Sequence, residues 1–297
     1  MSDLELSRVG LGCNNFGGRI DFEATRAVVD AALEEGVTHF DTADVYGNRG
    51  ESERFLGRLL EGRRDRVVLA TKFGSDMGDG TDARGSADYV RRACDASLER
   101  LRTDRIDLYY YHRPDGITPV AETLGALSEL VEAGKVLHVG CSNVSAAQLR
   151  EAEEAARARG LRRFEVVQNE YSLLERDAEA DVLPAARELG IGFVPYFPLA
   201  SGLLTGKYRR GAPAPEGTRL HGRDEPPAAT WDRIEALEAF AVERGHTLLE
   251  LAVAALASTP GVVSVICGAT KAEQVRANAA AAEWRLSADE LSELKSL

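Results

Sequence analysis

Four side chains within the first 112 residues have the chemistry to add hydrogen across a carbonyl: Asp41, Tyr46, Lys72 and His112. A tyrosine holds its proton until about pH 10 and is a weak acid at neutral pH. An ammonium beside it stabilises the phenolate and makes donation easier. Asp41 would keep Lys72 charged and fix its direction, while His112 could donate a hydrogen bond to the carbonyl oxygen. The set would polarise a C=O bond and provide a proton, which is what hydride addition requires. Each residue alone also has an ordinary reading. Lys72 after an apolar run is a rim lysine, His112 before Arg113 and Pro114 a turn residue, and Asp41 a loop cap.

What could bring them together is an alternation of short β-branched runs with longer stretches of helical period, the signature of repeated βα units. The runs predict strands at Val9–Gly12, His39–Asp41, Val67–Thr71, Ile106–Tyr111, Val139–Ser142, Val166–Asn169, Gly192–Tyr196 and Val263–Ile266. Helices are predicted at Phe22–Glu35, Glu51–Leu60, Ser86–Leu101, Val120–Ala133, Ala146–Arg159, Glu179–Leu189, Leu248–Ser258 and Lys271–Ala282. Gly36, Gly134, Gly160 and Gly190 follow helical stretches where a left-handed residue ends the helix. Ser145 with Gln148 has capping-box spacing. Eight such units in a chain of 297 residues fit a closed (β/α)8 TIM barrel better than an open sheet, although the pattern alone allows both. No linker divides the chain, so 1–297 reads as a single domain. Ser201–Ala229 is a long loop after the seventh strand, Thr230–Arg244 an inserted helix, and Ser287–Leu297 a terminal helix capped by Ser287.

In such barrels the chemistry sits on the loops that follow the strands. Polar residues gather there. Asp41, Thr42, Asp44 and Tyr46 follow the second strand, Thr71 and Lys72 end the third, and His112 and Arg113 end the fourth. Ser142 and Asn143 end the fifth, Gln168 and Asn169 the sixth, and Tyr196 the seventh. Convergence at six strand ends is a stronger signal than any one residue.

A net charge of -12 argues against nucleic acid or an anionic membrane surface as partner. Lys207, Arg209, Arg210, Arg219 and Arg223, against the single acid Glu216, make a local exception. That stretch reads either as a solvated loop or as a basic cover for an anionic ligand. No apolar run approaches the roughly 20 residues of a membrane span. Met1–Val9 carries Asp3, Glu5 and Arg8 and lacks the continuous apolar stretch of a secretory leader. Cys13, Cys94, Cys141 and Cys267 have no CxxC spacing, which fits a reduced cytoplasmic protein without a zinc site.

The motifs resemble those of the aldo-keto reductase family, in the family's order and over nearly the whole chain. Phe40–Gly47 (FDTADVYG) with Glu51, Ser52 and Glu53 is similar to the family's signature around its aspartate and tyrosine. Leu69–Gly74 (LATKFG) resembles the lysine strand and Tyr111–Asp115 (YHRPD) the histidine segment. Val139–Asn143 and Gln168–Tyr171 look like the segments that hold a nicotinamide carboxamide. Tyr196–Leu199 with Gly202–Lys207 resembles the stacking tyrosine and pyrophosphate loop, and Gly268–Lys271 with Gln274 and Asn278 the adenosine phosphate segment.

The resemblance implies NADP(H) bound extended without a Rossmann fold, and no GxGxxG opens a helix after the first strand here. It implies Tyr46 as general acid, Lys72 and Asp41 as its tuning pair, and His112 as the residue orienting a small carbonyl substrate. It places Ser142, Asn143 and Gln168 on the carboxamide and Tyr196 on the nicotinamide ring. Gly12, Asp41, Phe197, Pro198, Leu199, Gly202, Lys207, Gly268, Thr270, Lys271, Gln274 and Asn278 complete the cofactor set, and Asn14, Phe73 and Arg113 join Tyr46 and His112 in the substrate pocket.

Three departures carry consequences. Phe197 replaces a serine of many relatives and removes one cofactor hydrogen bond. Gln274 stands where some members place arginine against the 2′-phosphate, and Asn14 replaces a tryptophan and makes the pocket more polar. The short N-terminus implies a reduced floor hairpin. Two other readings use the same residues: an NADPH-binding regulatory subunit resembling potassium-channel β subunits, and a lyase with Lys72 as Schiff base. The second needs a neutral lysine, which Asp41 opposes.

Overall fold

The computed structural model describes residues 4–297. In chain order the elements are β1 (Val9–Gly12), α1 (Phe22–Glu34), β2 (His39–Asp41), α2 (Tyr46–Leu59), β3 (Val68–Phe73) and α3 (Ala87–Leu101). There follow β4 (Ile106–Tyr111), α4 (Val120–Glu132), β5 (Val136–Ser142), α5 (Ala146–Arg159), β6 (Val166–Glu170), α6 (Val182–Leu189) and β7 (Gly192–Tyr196). The chain ends with α7 (Ala228–Glu243), α8 (Leu248–Ser258), β8 (Val265–Gly268), α9 (Ala272–Ala281) and α10 (Ala288–Glu293). The strands form one parallel sheet in the order β7-β6-β5-β4-β3-β2-β1-β8. Its ends meet where Phe193 N–H donates to Gly261 O (2.9 Å) and Val263 N–H to Phe193 O (3.0 Å), so the (β/α)8 barrel is nearly closed.

Several boundaries differ from the sequence pattern for identifiable reasons. The eighth strand runs from Val265, not Val263, because Val262 and Val263 bind β7 and the pairing with β1 begins only at Val265. The fifth starts at Val136. Lys135 and His138 interrupt the apolar run there, but Ile106 pairs with Val136 and Leu108 with His138. The sixth helix starts at Val182, since Pro184 has no N–H for the carbonyl four residues back. Asp177–Glu179 is a separate 3-10 turn. The glycines at 36, 134, 160 and 190 have φ of 70°, 70°, 64° and 66°, and Ser145 and Ser287 make the expected caps.

Side chains alternate across the wall of the barrel. Ala70, Leu108, Tyr110, Val166, Val194 and Ile266 fill the interior, with Leu4 and Leu6 packed against them. No strand hairpin forms between residue 4 and β1. Residues 1–3 of the expected floor segment lie outside the described part. Leu69, Phe73, Tyr109 and Tyr111 face the helices instead. A second apolar cluster, including Leu204, Tyr208, Trp231, Leu237, Phe240 and Leu251, anchors the long loop and α7 to the barrel.

Where α2 meets α3 the approach is close. A Cβ on Gly57 would stand 2.5 Å from Arg100 O and 2.7 Å from the Leu101 carbonyl carbon. Helix propensity favours Ala over Gly by about 1 kcal/mol, but overpacking typically costs about 1–3 kcal/mol. The obstructing atoms are backbone and cannot swing aside, so the clash wins. Gly57→Ala lowers the urea midpoint of unfolding; a raised midpoint would show that the helices can part freely.

Candidate active site

At the C-terminal ends of the strands lies a cavity of about 1070 Å³. Its wall includes Gly12, Asn14, Asp41, Tyr46, His112, Arg113, Ser142, Asn143, Gln168 and Tyr196. It continues along Phe197, Pro198, Leu199, Gly202, Lys207, Gly268, Thr270, Lys271, Gln274 and Asn278. Lys72 is fully buried just behind this wall. Phe73 departs from the expectation. It lies on the opposite face of β3 from Lys72, fully buried, stacked on Tyr111 with ring centres 5.2 Å apart. Two adjacent strand residues cannot both face the barrel mouth, so Phe73 is no pocket residue.

Lys72 and Asp41 form the electrostatic centre. Lys72 Nζ donates to Asp41 Oδ2 at 2.5 Å and to Thr42 O at 2.9 Å, with both charged side chains out of water. Burial disfavours the ammonium, but Asp41 and then Tyr46 outweigh it, and the Lys72 pKa is raised. A lysine held charged in this way is no Schiff-base nucleophile. Its Nζ lies 5.1 Å from the centre of the half-buried Tyr46 ring. Burial raises the Tyr46 pKa and Lys72 opposes that rise, so the phenol keeps its proton at neutral pH while an ammonium faces it. Asp44, next along the chain, is buried with Oδ1 unpartnered; burial and Glu53 push its carboxyl up to about 8. The shift favours its neutral form near pH 7, and Asp41 is the carboxylate that Lys72 contacts.

The ring of His112 meets that of Tyr46 edge to face, 5.9 Å between centres. Burial, Lys72 and Arg113 depress its pKa to about 3, so the imidazole is neutral. Its Nδ1 lies 2.9 Å from Ser75 Oγ, a wall residue that the sequence reading missed although it stands three positions after Lys72. The amides are engaged within the protein. Gln168 Nε2 donates to Asp41 Oδ1 (2.9 Å), and Asn143 Nδ2 to His112 O (3.0 Å) and to Ser142 Oγ (3.0 Å). Tyr196 Oη donates to Asn143 Oδ1 at 2.7 Å, which fixes the tyrosine ring in the wall.

The rest of the cavity fits an extended dinucleotide. After β7, Phe197, Ala200, Ser201 and Gly202 take φ of 56°, 44°, 57° and 98°. Left-handed residues are costly unless something holds them, and backbone turns of this kind aim N–H groups into a concave anion site. A Cβ on Gly202 would stand 2.9 Å from Lys207 Nζ. Arg219 is half-buried, reaches Asn15 Oδ1 (3.4 Å), stands 5.7 Å from the centre of the Phe197 ring, and has its pKa lowered by burial and by Arg19 and Arg223. The cations Arg19, Lys207 and Arg219 on this wall suit an anion, although Glu216 lines it too. Further along, α9 begins beside Lys271 without a side-chain cap, leaving its first N–H groups to an acceptor. Gln274 Oε1 accepts from Thr270 N–H at 2.7 Å and holds that turn.

The basic stretch after β7 is only partly a cover. Arg209 binds Glu238 at 3.0 Å, and Arg210 binds Asp232 (2.5 Å) and Glu235 (3.0 Å), all on α7. Exposed pairs of this kind are worth about 0.2–1 kcal/mol and serve here as tethers. Lys207 and Arg219 are the members that reach the cavity wall. Asn15, whose Nδ2 donates to Ala269 O (3.2 Å), also lines it, and only its place after β1 could have marked it in the sequence.

Among the described residues there is no cluster that could hold a metal ion and no helix long and apolar enough to cross a membrane. Residues 8–297 match the model of the aldo/keto reductase family. The chain is 38% identical over 294 residues to a protein of Bacillus subtilis (strain 168) named uncharacterized oxidoreductase YrpG, covering 95% of this chain and 89% of that one. It is 36% identical over 302 aligned residues to probable aldo-keto reductase 1 of Glycine max, covering 98% of this chain and 85% of the relative. With its parallel barrel and strand-end cavity, the chain belongs to the aldo/keto reductase family and is an NAD(P)H-dependent oxidoreductase.

Proposed function

We propose that the enzyme reduces a small aldehyde or ketone to the alcohol with NADPH, and that Tyr46 delivers the proton. The observation that carries this reading is a protonated phenol in the cavity wall facing a buried ammonium that Asp41 keeps charged. When bound, the dihydronicotinamide supplies the hydride that becomes the new C–H bond. The protein supplies the rest. Neutral His112 donates a hydrogen bond to the carbonyl oxygen and sets its angle. Tyr46 transfers its proton to that oxygen as negative charge gathers there, and Lys72 stabilises the phenolate left behind. Solvent reprotonates Tyr46. The balance is one carbonyl, one NADPH and one proton to one alcohol and one NADP+.

The wall also suggests which residues hold the cofactor. Tyr196, fixed by Asn143, offers a ring face for the nicotinamide. The left-handed backbone at 197–202 with Lys207 and Arg219 suits the pyrophosphate. Lys271 and the open start of α9 suit the adenosine 2′-phosphate, although Glu273 on the same wall works against them. Gln168 supports Asp41 directly, so its contribution to a carboxamide would come through its other amide atom. The reading takes 1–297 as one barrel domain acting in the cytoplasm.

Tyr46→Phe lowers turnover by roughly 10²–10⁴-fold, the range for a lost general acid, with NADPH affinity nearly unchanged. Steady-state rates with a reactive aldehyde and fluorescence titration of the cofactor check both parts. Near-normal turnover removes Tyr46 from the mechanism.

NADPH binds more tightly than NADH. One charge-assisted phosphate contact is worth about 1.5–3 kcal/mol, or about one to two decades in affinity. Lys271→Ala therefore weakens NADPH far more than NADH in the same titration. Equal affinities in the wild type, unchanged in the variant, would overturn the assignment.

A further inference from the structure

His112 is fixed on three sides. Its N–H donates to Phe73 O at 2.8 Å, and its carbonyl accepts from Asn143 Nδ2 at 3.0 Å, so both backbone groups are held. The ring has one side-chain hydrogen-bond partner, Ser75 Oγ, 2.9 Å from Nδ1. Ser75 is aimed there by Gly74, whose φ of 98° turns the chain at the end of β3. A Cβ on Gly74 would stand 2.8 Å from Cε2 of the Tyr111 ring, so the turn depends on glycine twice, for its backbone angle and for its size.

A neutral imidazole carries its proton on one nitrogen only, and the hydrogen bond made by one nitrogen decides the state of the other. If Nδ1 held the proton it would donate to Ser75, and Nε2 would face the cavity as an acceptor with nothing to offer a carbonyl oxygen. Ser75 Oγ has no other hydrogen-bond partner among the described residues, so a proton directed away from Nδ1 has no acceptor in the protein.

We propose that Ser75 is a positioning residue: its hydroxyl donates to Nδ1 of His112 and keeps the ring proton on Nε2, ready for the carbonyl oxygen. The inference rests on the reading of His112 as the group that orients the carbonyl. Ser75 need not touch substrate. It selects the tautomer that can donate, and it holds the plane of the ring against Tyr46.

The test uses the full chain labelled with ¹⁵N-histidine, with the His112 signals assigned by their loss in His112→Gln. The wild type shows a protonated Nε2 and an unprotonated Nδ1. Ser75→Ala shifts His112 toward a mixture of tautomers. Its kcat falls by roughly 2–10-fold, the worth of one ordinary hydrogen bond, with the KM for NADPH unchanged. Ser75→Thr, which keeps a hydroxyl, restores both the spectrum and the rate. A wild-type spectrum with the proton on Nδ1 overturns the proposal whatever the variants do. So does a Ser75→Ala protein whose tautomer and kcat match the wild type. Failure of the underlying reading looks different: His112→Gln would then turn over like the wild type while the tautomer result stood.

Discussion

Lys72 is fully buried at the mouth of the barrel and its ammonium is held by Asp41. Taking two charges out of water is costly, and an uncompensated member of such a pair typically costs about 3–5 kcal/mol. Every nearby feature reduces that cost. Thr42 O accepts a second Nζ proton, and Gln168 takes the other oxygen of Asp41. The ammonium also faces the rings of Tyr46 at 5.1 Å and Tyr110 at 5.8 Å, and of the two Tyr46 lies on the cavity wall. The unmet part of the positive charge is therefore spent on a phenol at the cavity wall, which turns an ordinary tyrosine into a proton donor.

The barrel makes this arrangement reproducible. Parallel register sets Gly12 beside Asp41 and Lys72 beside Tyr110, so charged groups from different strands reach one level. Small residues clear the space. A Cβ on Gly10 would stand 2.6 Å from Ile266 Cδ1, and one on Gly12 would stand 2.9 Å from Ile266 Cγ2. Below that level the interior is filled by apolar side chains as far as Leu4 and Leu6, with the buried His39 bonded to Ser264 among them. With both members of the pair buried, the local dielectric is low and the coupling between Lys72 and Tyr46 is strong.

Much of this was legible in the sequence because it depends on local periodicity and residue type. Asp41, Tyr46, Lys72 and His112 could be read as one set, since each lies at or shortly after a strand end and their chemistry fits together. Phe73 could not be placed by its neighbourhood to Lys72, because alternation sends adjacent residues to opposite faces. The start of β8 was hidden by Val262 and Val263, which look like strand but serve closure against β7. Ser75 carried no signal in its type; its meaning comes from the Gly74 turn and from a histidine just after the next strand. Arg209 and Arg210 looked free because their partners, Asp232, Glu235 and Glu238, lie on a helix whose packing the sequence does not show.

The central claim is that Asp41 and Lys72 act as one unit through Tyr46, and a double-mutant cycle on kcat tests it most directly. Lys72→Met removes the charge that faces the phenol, and Asp41→Asn removes what keeps that charge in place. If both losses act through the same proton donor, the double variant is little slower than the slower single variant, and the coupling is large. If the two losses simply multiply, Asp41 and Lys72 contribute independently, and the account of Tyr46 as their shared output is contradicted.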